Sequence, residues 1–337
     1  MDFALLFDGS NWHWGWGARQ AFEKPTKNTF YINDFTLSQK KAWIQFEKQG
    51  ICQNVEEIPP QVRKLKCSRE WQLATKVEFQ KLWKLSQEYF ATNKIEKIVL
   101  ALSDRSQDFY DHVLKNDELI QFSSRNANFF YSYSIEEKAA WGLSPELLFE
   151  ISSREQLLKS IALAGTRLTF NADKGLLPCT DSLQIEHKKV VDFYVGIAQQ
   201  SSLDIRILPQ QLHQFQTIQH LKTPIEINLK NGHLESDFWI QAIHPTPALG
   251  VFPRNTETLK NLDFIRKDLP PSYASPFGVE REEGAFFIAT IRGYYLQNTT
   301  DLYRTLGVGV TPASTLDSEW NEIQAKRNAV ASFSKAD

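Results

Sequence analysis

The chain has 337 residues, 42% of them hydrophobic and 23% charged, an ordinary composition for a folded protein with a large core. A net charge of −2 removes any general electrostatic pull toward nucleic acid or an anionic membrane. No apolar run approaches the ~18 residues of a membrane span, and the start, MDFALLFDGSNWHWGWG, lacks the pattern of a signal peptide. Cys52, Cys67 and Cys179 are scattered without metal-ligand spacing, so a cytoplasmic, soluble protein with thiols of no special role is expected.

The first ~75 residues, a loosely drawn boundary, mix strand-like pieces such as TFYIN (29–33) with the proline-bearing connector EEIPPQVRK (56–64). Apolar residues near helical spacing predict a helix over VEFQKLWKLSQEYFATNK (77–94). IVLAL (98–102) is short enough for a buried strand. Further strands are predicted over NANFFYSYSI (126–135), ELLFEIS (146–152), SIALAG (160–165), PIEINL (224–229), AFFIATIRGYYL (285–296) and RTLGVGV (304–310). Helices are predicted over 181–200, 255–267 and 316–334. Many clustered strands broken by a few helices point to an α+β fold with large antiparallel sheets, and no clean linker follows residue 75.

Six segments carry residues with chemical potential. In the helix over 181–200, Leu183, Glu186, Val190, Tyr194 and Ile197 form the stripe that should face the interior. Glu186 is its charged member; it needs a cation, hydrogen bonds or a proton there, unless it reaches water at the helix edge. AIHPTPALGVFPR (242–254), with three prolines and a glycine, reads as a rigid loop, a binding loop or a structural turn. LGVGVTPAS (306–314) places two glycines before the last helix, where backbone meets a ligand or a strand merely turns. Lys97 stands at the entrance to IVLAL, and Glu146 follows a proline in apolar surroundings. Partial burial would make Lys97 a base and Glu146 an acid; surface placement is the competing reading. In SEWNEIQAK (318–326), Glu319, Glu322 and Lys326 share one helix face. Either Glu322 and Lys326 are an ordinary solvated i,i+4 pair, or a carboxylate that grips a hard cation lies beside a lysine that grips an anion.

The order of these pieces carries more than any one of them. KIVLAL, GLSPELLF, LAGTR, EH, IQHLKT, HPTPALG, YASPFG, IRG, GVGV and EWNEIQAK together resemble the chorismate-utilising enzyme family over roughly residues 78–332. That family includes isochorismate synthases, salicylate synthases, anthranilate synthase large subunits and aminodeoxychorismate synthases. The resemblance implies one α+β domain over residues 1–337, with 1–77 a divergent N-terminal part of the fold. Two large antiparallel sheets flanked by helices would hold the site between them.

Carried over residue by residue, the resemblance implies that Glu186 and Glu322 hold Mg²⁺, with Glu319 a supporting ligand. A hard ion with few carboxylates and several waters suits such a set. Lys326 and Arg292 would neutralise substrate carboxylates, arginine in its bidentate manner. Gly165, Thr166, His220, Ala248, Leu249 and Gly307 fall on positions of the substrate pocket. Lys97 matches the lysine of isochorismate and salicylate synthases, where amine-adding members carry glutamine. Ala164 stands where many aminodeoxychorismate synthases carry a nucleophilic lysine, and HPTPALG matches the isochorismate synthase form.

The implied reaction turns chorismate into isochorismate. Lys97 takes a proton from the water that attacks C2, and Glu146 protonates the leaving C4 hydroxyl. A downstream enzyme must draw off the product, with menaquinone synthesis the commonest sink and siderophore or salicylate formation the others. The expected partner is small-molecule chorismate, with no nucleic acid, no membrane and no obligatory amidotransferase, and the expected state is a monomer or weak dimer. Salicylate synthase, an amine-adding synthase component and a chorismate-binding protein without catalysis are the alternatives. Pro270 and Leu102 stand where relatives often carry arginine, and the sequence around Leu183 and Gln184 departs from theirs just before EH.

Overall fold

The computed structural model describes residues 1–124, 128–168, 181–215, 218–230 and 234–332. Cys179 lies outside them; Cys52 and Cys67 are buried free thiols.

The structure confirms the predicted α+β class and reveals how its strands connect. Where two sheets are expected, seventeen strands form one unbroken antiparallel ladder that doubles over itself. At one end, Ile205–Ile207 and Gln211–Phe215 both pair with Ile218–Asn228. The ladder continues through Leu157–Leu168, Leu147–Ser152, Gly284–Ala289 and Pro276–Arg281. Phe30–Ile32 and Trp43–Cys52 carry it over to Trp12–Phe22 and Phe3–Phe7. It then passes through Phe129–Ile135, Lys138–Ser144, Gly293–Leu296 and Leu302–Val310 to Lys97–Ser106 and Val251–Phe252.

Aromatic side chains fill the space between the halves. Phe129 meets Phe286 at 5.1 Å and Tyr133 meets Phe277 at 5.3 Å, so the Phe129–Ile135 strand lies across from Pro276–Ala289. Phe287 is fully buried and touches the rings of Tyr31, Trp43 and Phe149.

Six helices flank the ladder: α1 (Lys76–Phe90), α2 (Asn116–Ser124), α3 (Asp181–Gln200), α4 (Ser236–Ile243), α5 (Thr256–Arg266) and α6 (Leu316–Ala331). Four match predicted helices, and caps explain three of the starts. Thr75 and Glu78 form a reciprocal capping box before α1, Asn255 caps α5 and Thr315 caps α6. The short helices α2 and α4 have too few turns to show a clear period, and the sequence reading left them out.

Two expectations need correction. AFFIATIRGYYL is two strands, broken over Thr290–Arg292, where Arg292 takes φ 53°. AIHPTPALGVFPR is not loop throughout, since Ala242 and Ile243 close α4 and Val251–Phe252 pair with Ile98 and Lys97. An edge position tolerates this short pairing beside Pro253. Gly307 and Gly309 sit inside the strand predicted over RTLGVGV, so the competing reading of a turn falls away.

Truncating Phe286, which is buried and faces Phe129 across the two halves, to alanine would open a cavity at their meeting point. The expected cost is about 3–5 kcal/mol, read as a lowered urea midpoint with an unchanged m-value.

Candidate active site

The Lys97–Ser106 and Leu302–Val310 strands lie side by side, with Gly309 opposite Val99 and Gly307 opposite Ala101. At both positions a Cβ would displace groups of the site. A Cβ on Gly309 would fall 2.4 Å from Glu186 Oε1 and 2.7 Å from Lys97 Cε; one on Gly307 would fall 2.3 Å from the Tyr273 hydroxyl. These two absences of side chain open a cavity of about 710 Å³, counted to its mouth, between strands of both halves of the ladder.

Eleven of the thirteen residues singled out in the sequence line this one cavity: Lys97, Glu146, Thr166, Glu186, His220, Ala248, Leu249, Arg292, Gly307, Glu322 and Lys326. Gly165 and Glu319 stand behind the wall. Gly165 takes φ 74° at a bulge between Ala164 and Thr166, and a Cβ there would press on the Leu183 carbonyl, so it lets α3 approach. Glu319 is buried on α6, in the field of both Glu322 and Glu186.

Lys97 is not partly buried, as expected, but 1% exposed. Its Nζ lies 3.0 Å from Glu186 Oε1. Lys326 Nζ donates to the Gly307 carbonyl at 2.7 Å and pairs with Glu322 at 2.6 Å. The i,i+4 pair of the bland reading therefore exists, but inside the cavity rather than on a solvated face.

Glu146 is 4% exposed, in the turn between the Lys138–Ser144 and Leu147–Ser152 strands. Burial pushes its carboxyl up to about 7, against the opposing pull of a hydrogen bond from Thr246 and the charges of Lys97, Lys326 and Arg292. Thr246 Oγ1 donates to Glu146 Oε1 at 3.1 Å. Near neutral pH this group holds a proton it is ready to give up.

Arg292 is buried, and its Nη2 donates to His220 Nε2. Burial first, then Arg292 and Lys326, push the His220 imidazole well below its usual range, so the ring is neutral. With Nε2 accepting, the ring proton sits on Nδ1, 3.1 Å from Thr166 Oγ1.

The carboxylate set suits a divalent cation of the magnesium type in charge. Burial raises the Glu319 carboxyl, and the charges of Glu322 and Glu186 raise it further, a repulsion that a dication relieves. Among the described residues no three such ligands already converge. Magnesium does not require that, because it keeps several waters and takes only one or two carboxylates.

Gly309, one of the two glycines marked in LGVGVTPAS, also lines the cavity, while Tyr273 and Thr305 on the lining and Thr246 behind Glu146 carried no assigned role in the sequence. Tyr273 and Thr246 lie within YASPFG and HPTPALG, so their segments were marked although their roles were not.

Residues 23–333 match the family described as chorismate binding enzyme. The chain belongs to that family. It is 28% identical over 301 residues to isochorismate synthase MenF of Pasteurella multocida, covering 86% of this chain and 66% of that protein. Identity with isochorismate synthase MenF of Escherichia coli is 27% over 276 residues, 78% of this chain and 61% of that protein. These alignments span just under two thirds of each relative's length. The solved structure of MenF, the menaquinone-specific isochorismate synthase of Escherichia coli, superposes with a TM-score of 0.77 at 18% identity, over 99% of this chain and 89% of that one. The family match starts at residue 23, well before residue 78, so the strands Phe30–Ile32 and Trp43–Cys52 lie within it. No described helix is long and apolar enough to cross a membrane.

Replacing Glu146 with glutamine bears on stability as well as chemistry. The folded carboxyl titrates near 7, above its ordinary 4.5. The folded state therefore loses stability as pH rises through that window, by an amount on the order of 3 kcal/mol. Glu146→Gln should raise the melting temperature at pH 8 and leave it nearly unchanged at pH 4.5, measured by scanning calorimetry.

Proposed function

We propose that this chain is an isochorismate synthase, acting as one chorismate-binding domain that interconverts chorismate and isochorismate with Mg²⁺. The observation that carries the reading is the meeting of Lys97 and Glu146 in one cavity that also holds Arg292 and Lys326. Two cations suit the two carboxylates of chorismate, while an acid and a base suit exchange of a hydroxyl. The names of the similar proteins support the same activity.

Lys97 serves as the base once its Nζ parts from Glu186, taking a proton from the water that attacks C2. Glu146, kept protonated by burial near neutral pH, gives its proton to the departing C4 hydroxyl. One water enters and one leaves, so the reaction is balanced. Arg292, fixed by His220, and Lys326, fixed by the Gly307 carbonyl, would orient the substrate carboxylates. Glu186 and Glu322, with Glu319 in support, would hold Mg²⁺, which when bound neutralises and polarises a substrate carboxylate. Lysine at 97 and alanine at 164 speak against amine addition. The proposed setting is cytoplasmic, as a monomer or weak dimer without an amidotransferase, feeding menaquinone synthesis.

Chorismate and Mg²⁺ without an amine donor should give isochorismate on chromatography, and EDTA should stop it. Salicylate with pyruvate, or unchanged chorismate with folded protein, would overturn the assignment. Lys97→Gln and Glu146→Gln should each lower kcat by about 10²–10⁴-fold with the circular dichroism spectrum retained. Glu322→Ala should flatten the Mg²⁺ titration of activity, and an unchanged titration would remove that residue from the metal site.

A further inference from the structure

Asp104 is completely buried on the Lys97–Ser106 strand, away from the cavity lining. Its carboxylate accepts from Arg304 Nε at 3.0 Å and Nη2 at 2.7 Å. It also accepts from Arg327 Nε at 3.0 Å and Nη2 at 2.8 Å, and from the Ala74 amide at 2.9 Å. Arg327 extends the network, donating to the Ala74 carbonyl at 2.9 Å and to Gln324 Oε1 at 2.8 Å. One carboxylate thus joins the strand that begins with Lys97, the strand of Gly307 and Gly309, the residue before the Thr75 cap of α1, and α6.

We propose that Asp104, Arg304 and Arg327 form a clamp that sets the register of α6, making Arg327 a positioning residue for Glu319, Glu322 and Lys326. The proposal rests on the reading of the cavity as a Mg²⁺ and chorismate site. Ile323, Ala329 and Val330 bury α6, but apolar burial is non-directional and fixes a helix face better than its axial position. A slip of one residue moves the helix by about 1.5 Å, enough to misplace a carboxylate. Charge-assisted hydrogen bonds are directional, and Arg327 follows Lys326 directly in sequence. A buried ion network contributes little net stability compared with an apolar replacement, so what it supplies here is a defined position. The clamp stands on the same strand as Leu102, where relatives often carry arginine.

Arg327→Met is the informative variant, because it leaves Asp104 paired one-to-one with Arg304. Mn²⁺ binding, followed by electron paramagnetic resonance without substrate, should weaken by about tenfold or more. The Mg²⁺ requirement and the KM for chorismate should rise in parallel. Arg327→Lys, which keeps the charge but not the fork, should recover part of that affinity. Asp8→Asn disturbs a separate buried cluster with His13 and Arg281, and reports what lost stability alone does. It should lower the melting temperature with Mn²⁺ affinity unchanged. Arg327→Met binding Mn²⁺ like the wild type, or Asp8→Asn weakening it equally, overturns the clamp. If Arg327→Met does not fold, Arg327→Lys decides alone, and wild-type Mn²⁺ affinity in it has the same consequence. A wild-type chain that turns over chorismate but shows no such difference removes only the clamp. One that binds neither Mn²⁺ nor chorismate removes the functional reading together with it.

Discussion

The cavity gathers more ionisable groups than a buried site tolerates unless each charge is answered by another. Lys97 is answered by Glu186, Lys326 by Glu322, and Arg292 is joined to a neutral His220. Glu146 and Glu319 are answered only in part, and their carboxyls rise accordingly. Because burial penalises every uncompensated charge, these groups hold one another in a narrow set of positions. The same compensation leaves the acid near neutrality and the carboxylates of α3 and α6 close enough to feel each other. Stability and reactivity at this site therefore have one electrostatic origin.

The scaffold makes that gathering possible through backbone rather than side chains. Gly307 and Gly309 remove the Cβ atoms that would fill the cavity, and the bulge at Gly165 lets α3 bring Glu186 in. The break at Arg292, in a left-handed conformation, separates two strands where an uninterrupted one would run on. Each irregularity sits where the ladder meets the cavity. Aromatic rings packed between the halves of the ladder supply the rigidity that such a site needs.

Much of this was legible in the sequence, and for physical reasons. Long periodic segments announced α1, α3, α5 and α6, and continuous apolar runs announced the buried strands, IVLAL above all. The placing of eleven of thirteen residues around one cavity came from the order of motifs rather than from periodicity. What escaped has a common cause. Thr246 and Tyr273 matter through contacts with residues far away in sequence, which no local pattern records. Glu322 and Lys326 looked like a surface pair because helical spacing reports which residues are neighbours, not whether water reaches them. The doubling of one ladder into two layers is likewise invisible locally, since strand patterns do not name their partners.

That ladder has a consequence for how the molecule comes into being. The strand bearing Lys97 pairs with one that begins some two hundred residues later, at Leu302. Closing such a loop spends chain entropy before any pairing rewards it, and topologies of this kind fold slowly. Until residues 302–310 arrive, the Lys97–Ser106 strand has only the bridge of Arg105 to Gln72 near its end and the two-residue pairing with Val251–Phe252 at its start, and its apolar run lacks its main partner. The nascent chain thus carries an unpaired hydrophobic strand through most of its synthesis, a state in which association with other chains competes with folding. The arrangement that brings a lysine from the first third of the sequence beside a helix from its last tenth makes this protein a natural dependent of the cell's folding machinery.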